Sequence, residues 1–241
     1  MSENLIQLLL VFAVVFLSYF VGTFQSSYLL GKAVYKKDVR DYGSHNAGAT
    51  NAIRVFGLKF GMLCLLLDAL KGALAVLLTK AIVSGHVTSE PSRIVLLELI
   101  CGLITVLGHN HPFYMGFKGG KGVAATIGVM FAIDWRIALI AGVPALLIMV
   151  AFRFMSVASL TFETLCFICF TIFYFGTPEF YLIAIGALYY PVISFYRHKE
   201  NIKRLASGEE PRLWGKGSKK DLARKAAEAS AEAPAEEASE E

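Results

Sequence analysis

The chain has 241 residues, of which 56% are hydrophobic and 17% charged, whereas soluble globular chains carry about 25% charged residues. That balance excludes a water-soluble enzyme domain and a disulfide scaffold, and a net charge of +4 is too small and too dispersed to suggest a nucleic-acid partner. Residues 1–200 hold 15 Lys/Arg and 10 Asp/Glu while residues 201–241 hold 8 and 9, so the first part reads as membrane and the second as a solvated tail.

The first apolar run, 5–24, carries no charge and has the roughly 20 residues that a helix needs to cross about 30 Å of hydrocarbon. It has no basic leader and no convincing small-residue cleavage site, so it is expected to be a retained span rather than a signal peptide. Further runs follow at 55–78, 93–107, 122–132, 137–150, 156–175 and 180–195, the third and fourth of the seven being short. Strands of a closed barrel would alternate in polarity and these runs do not, whereas helices satisfy their own backbone in lipid. The expected fold class is an all-α integral membrane protein, a bundle of about seven transmembrane helices. Asp68 and Lys71 inside the second run are expected to pair across one helical turn. Cys64, Cys101, Cys166 and Cys169 all lie in apolar stretches without His or carboxylate at ligand spacing and read as small core residues.

Basic residues set the orientation. With the N-terminus outside, the inner segments hold Lys32, Lys36, Lys37, Arg40 and Arg54, then Lys118 and Lys121, then Arg153, then ten Lys/Arg from Arg197 to Lys225. The outer loops then hold only Lys80, Arg93 and Arg136. Deleting the short fourth run would place the whole basic tail outside, so seven spans are expected, with a re-entrant hairpin at 109–132 as the other description of that region.

The polar, glycine-rich stretches all fall on this inner face. They are Gly-Ser-His-Asn-Ala-Gly-Ala-Thr-Asn at 43–51 with Arg54, Gly-His-Asn-His-Pro-Phe-Tyr-Met-Gly-Phe-Lys-Gly-Gly-Lys-Gly at 108–122, Ser-Leu-Thr at 159–161, and Arg-His-Lys-Glu-Asn-Ile-Lys-Arg at 197–204. Glycine lets successive N–H groups point into one concavity, and such nests bind anions when Lys or Arg stands beside them. The stretch around Lys121 nevertheless fails the nucleotide-binding pattern: Met115 stands where that pattern needs Gly, and Gly122 where it needs Ser or Thr. Each element alone has a blander reading, since glycines allow close helix packing, lysines anchor helix ends at headgroups and histidines sit solvated in loops. A structural protein, however, has no need for so many amide, hydroxyl, imidazole and basic groups on one face.

The stretches at 43–51, 108–113 with 117–124, and 197–205 resemble the three signature regions of the bacterial acyl-phosphate:glycerol-3-phosphate acyltransferases, the PlsY family, over roughly residues 5–210. His45 departs from the pattern, standing where the family often has Gly, which bears on the local loop shape. The resemblance implies transfer of a fatty acyl chain from acyl phosphate to the sn-1 hydroxyl of glycerol-3-phosphate, giving lysophosphatidate and inorganic phosphate. It implies a multi-pass protein of the bacterial inner membrane with its site on the cytoplasmic face, and coupling to an enzyme that produces acyl phosphate. An acyl phosphate is already activated, so no cofactor and no metal are expected. The His-x4-Asp mark of other glycerolipid acyltransferases is absent, since none of the five histidines is followed by Asp at that spacing.

Both substrates carry phosphate, so the site must join a cationic nest to a lipid-accessible groove. Lys118 and Lys121 with the N–H groups of Gly119, Gly120 and Gly122 are expected to hold one phosphate, and Ser44 and Arg54 to help hold the other. Ser159 and Arg204 are further phosphate contacts, Ser159 being preferred in that role over nucleophile because nothing adjacent activates it. Asn46, Asn51 and Asn201 are candidates for stabilising the acyl oxygen or gripping glycerol. If the chain after the seventh run is helical, His198, Asn201 and Arg204 share one face. The proton of the attacking hydroxyl goes to His198, to His109 or to the substrate phosphate. The last is favoured because no carboxylate neighbours either histidine at motif spacing. A transporter for a phosphorylated metabolite is the second reading, weakened by the absence of an internal repeat. A structural membrane scaffold is the third. Residues 1–206 are expected to form the membrane domain and 207–241 a charged, low-complexity cytoplasmic tail, disordered or transiently helical.

Overall fold

The computed structural model describes residues 2–213, and the described residues are all-helical. The helices are α1 (Glu3–Thr23), α2 (Ser26–Tyr35), α3 (Ala49–Phe56), α4 (Leu58–His86), α5 (Pro91–Asn110), α6 (Val123–Ile133), α7 (Trp135–Phe152), α8 (Met155–Phe173), α9 (Phe180–Arg197) and α10 (Lys199–Ala206). Among the described residues six stretches are long and apolar enough to cross a membrane: Glu3–Tyr35, Leu58–His86, Pro91–Met115, Trp135–Phe152, Met155–Phe173 and Phe180–Arg197. The expected all-α membrane architecture is therefore present among the described residues, with six long spans and one short apolar helix, α6, at the short fourth run. The expectations for the tail from residue 214 onward lie outside the described residues.

Span boundaries move for local reasons. Gly57 at φ +92° ends α3 and starts α4, so the second run splits at residue 57 into a short helix and a long span. The third run is not short, because His109 and Asn110 continue the helix to its end. At 11 residues, α6 extends only about 16 Å at 1.5 Å per residue. In the loop before it Gly119, Gly120 and Gly122 are buried, while Phe113, Tyr114 and Phe117 are exposed.

The bundle is sorted by size and polarity rather than by hydrophobicity. On α4 the leucines Leu66, Leu70, Leu74 and Leu77 point outward and are about half exposed. The buried stripe of the same helix is Gly61, Cys64, Asp68, Lys71, Gly72, Ala75, Val76, Thr79 and Val83. Small residues let backbones approach where lipid is as apolar as leucine. α4 lies against α6 at such a place: a Cβ on Gly128 would land on the carbonyl of Ala69, and one on Gly72 on the carbonyl of Ala125. The apolar core is built by Val76, Leu99, Val129, Ile137, Phe162, Phe170, Ile183 and Tyr190 from α4 to α9. All four cysteines are buried and free, as small core residues would be.

Antiparallel succession brings the ends of α2, α5, α7 and α9, and the starts of α4, α6, α8 and α10, to one face. The chain between α1 and α2 breaks at Phe24 and Gln25, whose extended backbones leave the Phe24 carbonyl outside any helical ladder. Lys71 Nζ donates to that carbonyl. Packing also runs past residue 206: Gly208 turns the chain at φ +71°, Leu213 N donates to Arg153 O at 2.8 Å, and Glu210 is buried. The boundary expected between 206 and 207 thus falls inside packed structure.

Candidate active site

On the face where the helix ends meet lies a cavity of about 360 Å³. Its walls come from all four polar segments of the sequence. Ser44, Asn46, Asn51 and Arg54 line it from the α2–α3 region, and His109, Lys121 and Gly122 from the end of α5 and the loop before α6. Ser159 lines it from α8, and His198, Asn201 and Arg204 from the α9–α10 junction. Lys118 and Gly119 instead line a second cavity of about 340 Å³ with Arg40, Asp41 and Phe117, which shares His45, Asn46 and Arg197 with the first.

The glycine-rich loop differs from an open nest. Gly119 N–H donates to Asn110 O and Gly120 N–H to His109 O, each at 3.1 Å. Those two amides are committed to the loop's own fold, which overturns their expected role as phosphate donors. Gly120 is needed for space, since a Cβ there would strike the His109 ring. Arg197 Nη2 fastens the same loop from α9, donating to Gly120 O at 2.7 Å and Gly119 O at 3.3 Å. The carbonyls turn toward Arg197, and Lys121 turns into the cavity.

Lys121 Nζ donates to Asn201 Oδ1, and Asn201 Nδ2 donates to Glu210 Oε1 at 2.6 Å. Glu210 also accepts from Ser156 Oγ at 3.1 Å and from Arg204 Nε at 2.8 Å. Burial pushes the Lys121 ammonium down to about 8; the Glu210 carboxylate opposes this, while Arg204, Arg197 and Arg54 reinforce it. The wall around Lys121 therefore gathers Arg54, Arg197 and Arg204 near the Glu210 carboxylate, with Asp68 and Glu200 elsewhere in the lining.

His198 caps the break between α9 and α10, with Asn201 and Arg204 on the helix that follows, so the three do meet at the cavity. Its Nδ1 lies 2.9 Å from Ser194 O, an arrangement that places the ring proton on Nδ1 and leaves Nε2 as acceptor. Burial, followed by the Lys121 charge, pushes the imidazole down to about 4, so it is neutral at pH 7.

Two expected catalytic residues are structural instead. Asn51 is 1% exposed, and its amide donates to Val39 O at 2.8 Å and Tyr42 O at 3.0 Å while its Oδ1 accepts from Ser44 N at 2.8 Å. Its polar atoms are spent clamping residues 39–44. His109 receives Lys71 Nζ on Nδ1 at 2.8 Å and packs its ring against Gly120, so it supports the loop rather than accepting a substrate proton. Asn46 Oδ1 closes a turn onto Gly48 N at 3.0 Å, leaving its amide nitrogen toward the site. Ser159 Oγ donates to Met155 O at 2.7 Å, one turn back along α8. His45 adopts φ +55°, a left-handed conformation that glycine takes more readily than a residue with a Cβ.

Sequence reasoning missed Glu210, Arg197 and Ser156 at this site. Glu210 had one usable signal, the glycine turn at Gly208 just after a basic helix.

Residues 12–208 match the family model described as glycerol-3-phosphate acyltransferase. The chain belongs to that family. A glycerol-3-phosphate acyltransferase of Halalkalibacterium halodurans is 39% identical over 206 residues, covering 85% of this chain and 94% of that protein. One of Staphylococcus aureus is 33% identical over 205 residues, with 85% and 98% covered. Among solved structures, the crystal structure of PlsY (YgiH), an integral membrane glycerol 3-phosphate acyltransferase, in its glycerol 3-phosphate form is 34% identical with a TM-score of 0.73, over 85% of this chain and 96% of that one. Its lysophosphatidic acid form gives a TM-score of 0.69. The glycerol-3-phosphate acyltransferase match covers all four cavity-lining segments and ends at residue 208, two residues short of Glu210.

Proposed function

We propose that this glycerol-3-phosphate acyltransferase family member uses acyl phosphate as donor and acylates the sn-1 hydroxyl of glycerol-3-phosphate, releasing lysophosphatidate and inorganic phosphate. The observation that carries the reading is the joining of Arg54, Lys121, His198 and Arg204, from segments remote in sequence, around one cationic cavity. That cavity lies among helices whose outward faces are leucine and phenylalanine. One substrate is a small dianion and the other an anion on a hydrocarbon chain, so the site must be basic inside and lipid-bordered outside.

In this mechanism Lys121, Arg54 and Arg204 neutralise the phosphates as they enter, and Ser44, Ser159 and Gly122 complete their contacts. The sn-1 oxygen attacks the acyl carbon, the carbon–oxygen bond to phosphate breaks, and the phosphate leaves with the electron pair. Negative charge developing on the acyl oxygen meets the Asn46 and Asn201 amides; a donor placed in this way contributes about a hundred- to thousandfold in rate. The hydroxyl proton goes to a substrate phosphate. The low basicity of His198 supports this route, and His198 lines the wall beside the reacting groups without taking the proton. Lys118 in the adjoining cavity guides the second phosphate toward the site.

The protein is read as residing in the bacterial inner membrane with the cavity toward the cytoplasm. Lys36, Lys37, Arg40, Lys118, Arg153 and Lys199 all belong to segments at the cavity face, which supports that orientation by charge asymmetry. Acyl phosphate is short-lived in water, so an enzyme producing it nearby is the expected partner.

The test is reconstitution of the purified protein with acyl phosphate and glycerol-3-phosphate. Lysophosphatidate and phosphate released one for one, only when both substrates are present, support the reading. Transfer from acyl coenzyme A instead, or flux without chemical change, overturns it.

A further inference from the structure

At the inner end of the cavity stands a carboxylate that the phosphate chemistry does not use. Asp68 is fully buried in α4 and lines the same cavity as Lys121 and Arg54. Its Oδ1 accepts from Ser26 Oγ at 2.8 Å and faces Lys71 Nζ at 2.9 Å. Lys71 is itself held by the Phe24 carbonyl and by His109 Nδ1. Among the described residues, Asp68 Oδ2 has no hydrogen-bond partner. A buried carboxylate oxygen left unpaired is costly, so one that lines a cavity calls for a donor there.

The sign of the charge says which part of the ligand this is. A carboxylate repels phosphate, so Asp68 cannot belong to the anion-holding wall, whose cations are Arg54, Lys121 and Arg204. The cavity therefore has two unlike ends, a wall rich in cations formed by those three and, at Asp68, a carboxylate paired with Lys71 that keeps one oxygen for a donor. Such a cavity orients a molecule that carries phosphate at one end and hydroxyl at the other.

We propose that Asp68 Oδ2 accepts a hydrogen bond from the middle, non-acylated hydroxyl of the glycerol substrate and so determines which polyol phosphates are accepted. The inference rests on the glycerol-3-phosphate reading above and adds the residue that recognises the glycerol end. The middle hydroxyl is assigned rather than the attacking one because the attacking oxygen must turn to the acyl carbon, whereas Asp68, held in place by Ser26 and Lys71, is a fixed acceptor of a hydrogen bond. A site built to bond a substrate hydroxyl strongly rejects the analogue lacking it.

The experiment compares binding of glycerol-3-phosphate, 3-hydroxypropyl phosphate and inorganic phosphate to the purified full-length protein by titration calorimetry. The 3-hydroxypropyl compound keeps the phosphate and the terminal hydroxyl and lacks only the middle one. Wild type is expected to bind it at least tenfold more weakly than glycerol-3-phosphate. In Asp68→Ala combined with Lys71→Met, which removes both members of the ion pair, the two ligands are expected to bind within twofold of each other, with inorganic phosphate affinity unchanged. Equal binding of the two ligands by wild type, or discrimination that persists in the double variant, overturns the proposal. If the double variant does not fold, the wild-type comparison decides. Binding without discrimination defeats this inference alone, whereas no binding of glycerol-3-phosphate at all defeats the functional reading on which it rests.

Discussion

Lys121 and Asn201 stand 80 positions apart in the chain and are joined by a hydrogen bond from Nζ to Oδ1. The bond ties the loop before α6 to the helix after the last span and places both on one side of the bundle. Single cysteines introduced at Lys118 and at Lys199 in a cysteine-free background should therefore be labelled by an impermeant reagent from the same compartment. Labelling from opposite sides would dissolve the cavity.

Lys121 supplies a cation at the centre of the site. Lys121→Met is expected to lower kcat/KM by about a hundredfold or more, with Lys121→Arg recovering only part of it, because the guanidinium cannot reproduce the compact ammonium that bonds Asn201. Steady-state kinetics with retained thermal stability checks this.

The lowered Lys121 value gives a sign to the pH dependence. The ammonium is charged below about 8 and neutral above it, so affinity for the phosphate substrates should fall as pH rises through that value. KM measured from pH 6.5 to 9.5 should rise at the alkaline end, and Lys121→Arg should remove the rise.

His198 leads to the opposite expectation near neutrality. Held down at about 4, it is already neutral from pH 5.5 upward and has no proton to lose in the working range. His198→Ala should reduce kcat without removing any titration between pH 5.5 and 7.5. A kinetic limb near 6.5 that vanishes in the variant would reinstate the histidine as general base.

Glu210 holds Ser156, Asn201 and Arg204 together from just beyond the family match. Removing one partner of a buried charged network costs about 3–5 kcal/mol. Glu210→Ala should therefore lower the midpoint of thermal unfolding markedly, and truncation after residue 206 should abolish activity. Truncation after residue 225 should leave it intact. Equal behaviour of the two truncations would show that Glu210 has no part in the site.

Much of this protein could be read from its residues alone, for a physical reason. Hydrophobic runs the length of a bilayer admit only helices, and an uneven spread of basic residues leaves few orientations. Motifs such as 108–122 or 197–204 also carry their residue types openly, so Lys121, His198, Asn201 and Arg204 were recognisable before any coordinates. Run length misled at Gly57 and at the end of α5, because an apolar window registers neither a left-handed glycine nor polar residues such as His109 and Asn110 that continue a helix.

Only the folded arrangement decided which polar atoms remain free to act. Asn51, His109, Gly119 and Gly120 looked like donors and acceptors for substrate, yet their hydrogen-bonding groups are consumed by Val39, Lys71, Asn110 and the backbone of His109. Glu210 looked like solvated tail and is a buried member of the site. Asp68 looked like half of a local ion pair and carries an oxygen left over for a ligand. Sequence specifies the chemical groups a chain owns, while hydrogen bonding is saturable, and its allocation depends on which distant segments come within about three ångströms of one another.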